Sequence, residues 1–164
     1  MNTKQETQTA GPDLRVLIPV AFGSCGENGV RYALAQARQG LRVEALLACI
    51  GDDDVRADVL RLRTREEIAR FQADGAAAAM DEVAAPLRAA GVPVRTVFAL
   101  GDVAGELARI ADESACDAIA VPVGHGARLP GCDKLTDRLL RQGGRARLLL
   151  VDADGNAAPQ AAAA

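Results

Sequence analysis

The stretch of this chain best suited to chemistry is a loop, Gly124-His125-Gly126-Ala127-Arg128-Leu129-Pro130-Gly131. It lies between an apolar run ending at Val123 and a helical stretch beginning near Lys134. Glycines there let backbone N–H groups close on an anion, and a helix N-terminus adds its dipole. Arg128 and Lys134 would add positive charge. The same spacing serves an ordinary strand-to-helix turn, so the pattern alone leaves both readings open. His125 is the only histidine, which excludes a His-paired nucleophile elsewhere and any multi-histidine metal site. Between two glycines it reads as a solvated loop residue.

The other chemistry-bearing residues are cysteines and clustered carboxylates. Cys25, Cys49, Cys116 and Cys132 are widely spaced, with no Cys-x-x-Cys, so they outline neither a zinc site nor a disulfide framework. Cys49 and Cys116 sit in or beside apolar runs, as small hydrophobes do. Cys25 and Cys132 each fall near a predicted helix N-terminus on facing walls of one crevice. A redox-sensing pair and two unrelated small residues are both open, and the missing spacing signature favours the second. Asp52-Asp53-Asp54 reads as the N-terminal cap of the next helix, where negative charge suits the macrodipole, rather than as a cation site. No metal is expected.

Composition narrows the function. Over 164 residues, 49% are hydrophobic and 25% charged, an ordinary balance for one globular domain with a core. Lys+Arg 19 against Asp+Glu 22 gives a net charge of −3, which supplies no electrostatic footprint for nucleic acid. With no Trp, one Tyr (Tyr32) and three Phe (Phe22, Phe71, Phe98), stacking platforms for single strands are lacking as well. No apolar run approaches the roughly 20 residues of a membrane span. The polar opening Met1–Ala10 lacks the apolar core of a secretion signal. The cytoplasm is the expected compartment, with neither nucleic acid nor membrane as a partner.

These residues need a frame to position them. Nearly continuous apolar runs recur at Leu14–Val20, Val43–Ile50, Val92–Leu100, Ala118–Val123 and Ala146–Val151, as in strands covered on both faces of a parallel sheet. Helical stretches lie between them. Ser24 with Glu27 matches a capping box, Val30, Leu34 and Ala37 form an apolar face, and Gly40 supplies a stop. Residues 52–91 read as a short helix near Val55–Leu62, then a longer one carrying Ile68, Phe71, Met80, Val83 and Leu87, kinked or interrupted by Pro86. Asp102 caps a third helix with Val103, Leu107 and Ile110. A fourth spans Lys134–Arg141, with Gly143 as its stop. Strands alternating with helices predict a doubly wound, three-layer α/β sandwich. Residues 1–12 read as a disordered lead, 13–152 as the domain and 153–164 as a flexible Ala-rich tail. Leu17-Ile18-Pro19-Val20 then Gly23 is echoed by Ala120-Val121-Pro122-Val123 then Gly126, a faint repeat of two half-units.

Several segments, in the right order, resemble the universal stress protein family over nearly all of residues 14–151. Arg15–Val20 followed by Gly23-Ser24 is similar to its opening strand. Gly101-Asp102-Val103-Ala104-Gly105-Glu106-Leu107 resembles its Gly-Asp-Pro-Ala-Glu-Ala-Ile segment, and Cys116-Asp117-Ala118-Ile119-Ala120-Val121 its Ala-Asp-Leu-Ile-Val-Met strand. Asp137-Arg138-Leu139-Leu140-Arg141 is similar to its Glu-Arg-Val-Leu-Arg helix, and Arg147–Val151 to its closing strand. The resemblance implies a Rossmann-like, adenine nucleotide alpha hydrolase-like fold with a five-stranded parallel sheet in order 3-2-1-4-5. It also implies a cytoplasmic, non-enzymatic role in stress response and a homodimer through the last strand. The dimer edge would be Arg147, Leu148, Leu149, Leu150 and Val151, an apolar strand whose open backbone a second copy would cover.

Many members of that family bind ATP, and here the chain departs from them. Ala21 stands where an acidic residue normally contacts the base. The family's glycine pattern would start at Val123, so that only Gly126 matches. Its closing Gly-Ser falls on Asp133-Lys134, in a loop shorter than the family's. A carboxylate at Asp133 would repel phosphate in a low-dielectric site, with Lys134 a partial offset. The expectation is a degenerate nucleotide crevice of Ala21, Gly23, Ser24, Val123, Gly124, His125, Gly126, Asp133 and Lys134. Phe22 and Leu129 are candidate plugs, no cofactor is expected, and a protein partner is left open. The alternative is a functional ATP- or AMP-binding member with a shortened phosphate loop. An enzyme of the wider alpha hydrolase-like group is disfavoured, because no acid, base or nucleophile constellation stands at the crevice.

Overall fold

The computed structural model describes residues 10–21, 26–53, 62–124 and 134–159. In chain order these form β1 (Leu14–Val20), α1 (Glu27–Arg38), β2 (Val43–Gly51), α2 (Arg65–Ala89) and β3 (Val94–Leu100). Then come α3 (Val103–Glu113), β4 (Ala118–Pro122), α4 (Leu135–Gln142), β5 (Arg147–Val151) and β6 (Ala157–Pro159). One sheet runs β3-β2-β1-β4-β5-β6, with β1 to β5 parallel and β6 antiparallel to β5. The expected order 3-2-1-4-5 is present, and a sixth strand is added to it.

Continuous apolar strands make sense once both faces are covered, because successive side chains point to opposite sides. From β1, Val16, Ile18 and Val20 enter one core with Val30 and Ala33 of α1 and Ala76, Met80 and Leu87 of α2. Leu17 of the same strand enters the other core, with Leu107 and Ile110 of α3 and Leu135 and Leu139 of α4. β2 divides likewise, Leu47 and Cys49 to the first core and Leu46 and Ala48 to the second. Between β1 and β4 the ladder registers Val16↔Ala118 and Leu17↔Ile119 and goes no further. Pro19 and Pro122, the repeated prolines, remove two N–H donors just beyond that point. No helix among the described residues is long and apolar enough to cross a membrane.

Several local expectations are corrected. Ser24 lies outside the described residues; α1 is capped by Gly26 without a side-chain hydrogen bond, so Glu27 is its first helical residue and not the third. The capping box in this chain belongs to α2. Thr64 accepts from the Glu67 N–H at 3.1 Å while the Glu67 carboxylate accepts from the Thr64 N–H at 2.9 Å. The shorter helix expected near Val55–Leu62, which Asp52-Asp53-Asp54 were expected to cap, falls largely outside the described residues. Pro86 does not interrupt α2, which continues to Ala89. Its ring faces solvent in the last turn, while buried Ala84 and Leu87 pin that turn to the sheet. Asp102 and Gly143 stand as the expected cap and stop of α3 and α4.

The expected free tail is corrected too. Residues 152–156 turn the chain back, and β6 pairs with β5 through Leu149↔Pro159, Leu150↔Ala158 and Val151↔Ala157. Arg147–Val151 is thus an interior strand of the sheet rather than its edge.

Two outcomes follow for stability. Leu17 is fully buried on the central strand whereas Leu41 is 40% exposed. Leu17→Ala should therefore lower unfolding free energy by about 2–5 kcal/mol in urea titrations, with Leu41→Ala close to neutral. At the opposite end of the sheet from the strands' carboxyl ends, Arg42 donates from Nη2 to Asp13 Oδ1 at 2.7 Å and from its backbone N–H to Oδ2 at 2.9 Å. These bonds hold the Asp13 carboxyl down at about 2, below its ordinary 3.8. The link is present above the ordinary value and is lost as pH falls towards 2. Asp13→Asn should flatten the acid limb of a pH-dependent melting profile in that window.

Candidate functional site

A cavity of about 830 Å³ opens at the carboxyl ends of β1 and β2, between α2 on one face of the sheet and α3 and α4 on the other. Ligands in open α/β sheets bind at this end, where loops replace the ladder. Its floor is apolar: Val20 and Ala48 are 3% and 1% exposed and Leu107 is fully buried. Ala21 and Ile50 continue that surface, and Phe71, which is 80% exposed, stands at the mouth. Gly51 lets α2 approach. A Cβ there would lie 2.5 Å from Gln72 Oε1 and 2.8 Å from Leu100 Cδ2. Gln72 donates from Nε2 to the Asp52 carbonyl at 3.2 Å.

The charged part of the wall is mostly acidic. Asp52 and Asp53 follow β2, and Asp102 precedes α3. Asp102 has two tasks. Its Oδ2 accepts the Gly105 N–H at 2.9 Å, capping α3, and its Oδ1 accepts from Arg138 of α4. Arg138 is the one cation among the described lining residues, and its guanidinium is engaged by that carboxylate. Among the described residues, the one guanidinium on this wall is therefore already paired with a carboxylate.

Of the residues expected at the crevice, Ala21 lines this cavity. Val123 and Gly124 are described but lie off it, at the end of β4, where the Val123 N–H donates to the Val151 carbonyl at 2.9 Å. Lys134 is exposed at the start of α4 without a capping bond. Gly23, Ser24, His125, Gly126 and Asp133 lie outside the described residues, as do Cys25, Cys132 and the candidate plugs Phe22 and Leu129. Sequence reasoning missed the β2 and α2 walls. A glycine closing an apolar run and followed at once by two acids, Gly51-Asp52-Asp53, was the available signal.

The two described cysteines do not contribute chemistry. Cys49 and Cys116 are both buried, and burial raises both thiols, that of Cys116 to about 11. They stay protonated at neutral pH, where the thiol is a poor nucleophile. Among the described residues no group of three or more His, Cys, Asp or Glu is placed to hold a metal ion.

With this geometry in hand, comparison with known proteins is informative. The model of the universal stress protein family matches residues 14–131. No curated protein matches the chain. Among solved structures, a universal stress protein family member from Burkholderia pseudomallei is 19% identical, with a TM-score of 0.62 over 84% of this chain and 94% of that one. The universal stress protein from Lactobacillus plantarum is 14% identical, with a TM-score of 0.61 over 87% and 99%. A family protein from Arabidopsis thaliana with AMP bound is 10% identical, with a TM-score of 0.56 over 85% and 91%. These likenesses are of fold.

The double role of Asp102 can be separated by substitution. Asp102→Ala removes both the cap and the charge and should cost about 1 kcal/mol of unfolding free energy. Asp102→Asn keeps a capping oxygen and should stay within a few tenths of wild type on the same urea titration.

Proposed function

The chain belongs to the universal stress protein family, and we propose that it serves stress response by binding rather than catalysis, in the cytoplasm, with a crevice that has given up polyphosphate recognition. The observation that carries this reading is the double engagement of Asp102, whose carboxylate caps α3 and bonds Arg138, the one cation among the described lining residues. A triphosphate tail brought to that wall meets like charge where desolvation weakens screening. The sequence adds Ala21 in place of the base-contacting acid and Asp133 at the closing position of the phosphate loop. ATP is therefore not its resident ligand.

A second reading has its own support. The Arabidopsis relative carries AMP, a single phosphate asks for fewer donors than three, and the apolar floor beside Ala21 would suit a purine. In that reading the shortened loop serves the phosphate by another route.

Isothermal titration with ATP and Mg²⁺ and, separately, with AMP decides between them, AMP binding alone favouring the second reading. The expected constant for ATP is millimolar or weaker, and a micromolar or tighter one overturns the proposal. Asp102→Asn, which removes a carboxylate and releases Arg138, should strengthen ATP binding several-fold, on the order of 1 kcal/mol for one screened charge.

A further inference from the structure

We propose that β3 accepts an extended segment of another protein as a further, antiparallel strand, one that carries an apolar side chain opposite Leu100 and a carboxylate opposite Arg95. The inference concerns the β3 edge of the sheet and is independent of what the cavity binds.

Among the described residues β3 has one neighbour, β2, and pairs with it from Ala45↔Val94 to Gly51↔Leu100 without a break. At the amino end the Ala45 N–H donates to the Pro93 carbonyl at 2.9 Å, and at the carboxyl end the Gly101 N–H donates to the Gly51 carbonyl at 3.1 Å. Backbone groups alternate in direction along a paired strand, so the odd positions of 93–101 face β2. The N–H and C=O groups of Val94, Thr96, Phe98 and Leu100 therefore point away from the sheet, a row that an extended chain would complete.

Native sheets guard such a row with a proline, a bulge, a very short strand or charged side chains. β3 runs seven residues, VRTVFAL, with no proline and no bulge against β2. Its one charged side chain, Arg95, is drawn over the neighbouring strand, with Nε 2.8 Å from Glu44 Oε1. Val, Thr and Phe, which favour strands, fill most of the other positions.

The two ends of this edge differ in chemistry, and the difference defines the partner. At the amino end Glu44 is shared by Arg95 and by Arg15, whose Nη2 stands 3.1 Å from Oε2. The carboxylate lies one strand in and is 16% exposed, against 52% for Arg95, so an incoming strand meets guanidinium there. A partner carboxylate complements it. At the carboxyl end Leu100 is 38% exposed beside a groove of about 280 Å³, where Ile68 and Ala69 of α2 offer an apolar seat among charged residues of both signs. Val94 and Phe98 pack on the α2 side of the sheet and Val97 and Ala99 on the α3 side. Side chains opposite Leu100 and Arg95 thus fall on opposite faces. An antiparallel partner supplies them as an apolar residue followed, at the spacing of Arg95 from Leu100, by Asp or Glu.

A fluorescein-labelled peptide, Lys-Leu-Thr-Val-Thr-Val-Glu-Thr-Lys, tests the proposal on the full chain by anisotropy and amide exchange. It is expected to bind at micromolar concentration and to slow exchange at Val94, Thr96, Phe98 and Leu100. Thr96→Pro removes an outward N–H while leaving the β2 ladder whole, and should weaken binding about tenfold or more. Arg95→Glu should weaken it several-fold, and a peptide with Lys in place of Glu should restore it; this pair serves if Thr96→Pro does not fold. Failure of that rescue overturns the carboxylate. No binding at millimolar peptide overturns the proposal, and so does binding that Thr96→Pro leaves unchanged or that protects none of those amides. If the amides are already protected in the free chain, in a dimer that Thr96→Pro dissociates, the edge belongs to a second copy and the proposal is overturned as well.

Discussion

Burial of β1 and β2 on both faces is the constraint from which the rest follows. A parallel strand covered on both sides must be apolar along its covered length, as β1 and β2 are beyond the Arg15–Glu44 pair near their starts, and its connections cross the faces as helices. In this chain that requirement sends Val16, Ile18 and Val20 to one core and Leu17 to the other. Polar groups are consequently driven to the strand ends, where the backbone leaves the ladder and the helices on opposite faces no longer meet across it. The cavity lies there because the two layers diverge, with α2 contributing Phe71 and Gln72 from one side and α3 contributing Val103 and Leu107 from the other.

The sequence carried the repeating parts of this arrangement legibly. Five apolar runs became five parallel strands with boundaries shifted by a residue or two, and the caps at Asp102 and Gly143 were readable because a single residue type does each job. Less legible was whatever depended on distant partners. Pro86 looked like a break because the local rule counts one lost hydrogen bond, while Ala84 and Leu87 supply packing that no local rule contains. Ser24-x-x-Glu27 and Thr64-x-x-Glu67 share one pattern, yet the described cap of α1 is Gly26 and only the second pair forms the box. Its alanines make the tail look loose, whereas the hairpin rests on Asp152 and on Gly155 seated against α1, a contact between residues far apart in the chain.

Edge and cavity answer to different physics, although both follow from the same sheet. At the edge the unsatisfied quantity is backbone hydrogen bonding, which any strand can supply regardless of its side chains; this is why a segment as plain as Ala-Ala-Pro suffices there. In the cavity the backbone is already accommodated and selectivity falls to a handful of side chains. A change at Asp52 or Asp53 would alter the cavity without touching the sheet edge.

Asp102 shows most directly how fold and field are tied together. Capping α3 requires an oxygen that accepts the Gly105 N–H, and Asn or Ser at that position would cap about as well as Asp. The fold alone does not call for a charge. Nor does the pair with Arg138 account for one, since both partners are well exposed, at 54% and 35%, and exposed pairs contribute little to stability. What the carboxylate changes is the cavity: it occupies the one guanidinium on the described wall and adds its own negative potential beside Asp52 and Asp53. A neutral cap would have left Arg138 facing the cavity as a ready phosphate ligand, bidentate and always charged. The charge at this one position is thus dispensable to the helix it caps, and its effect falls on Arg138 and the described cavity wall instead.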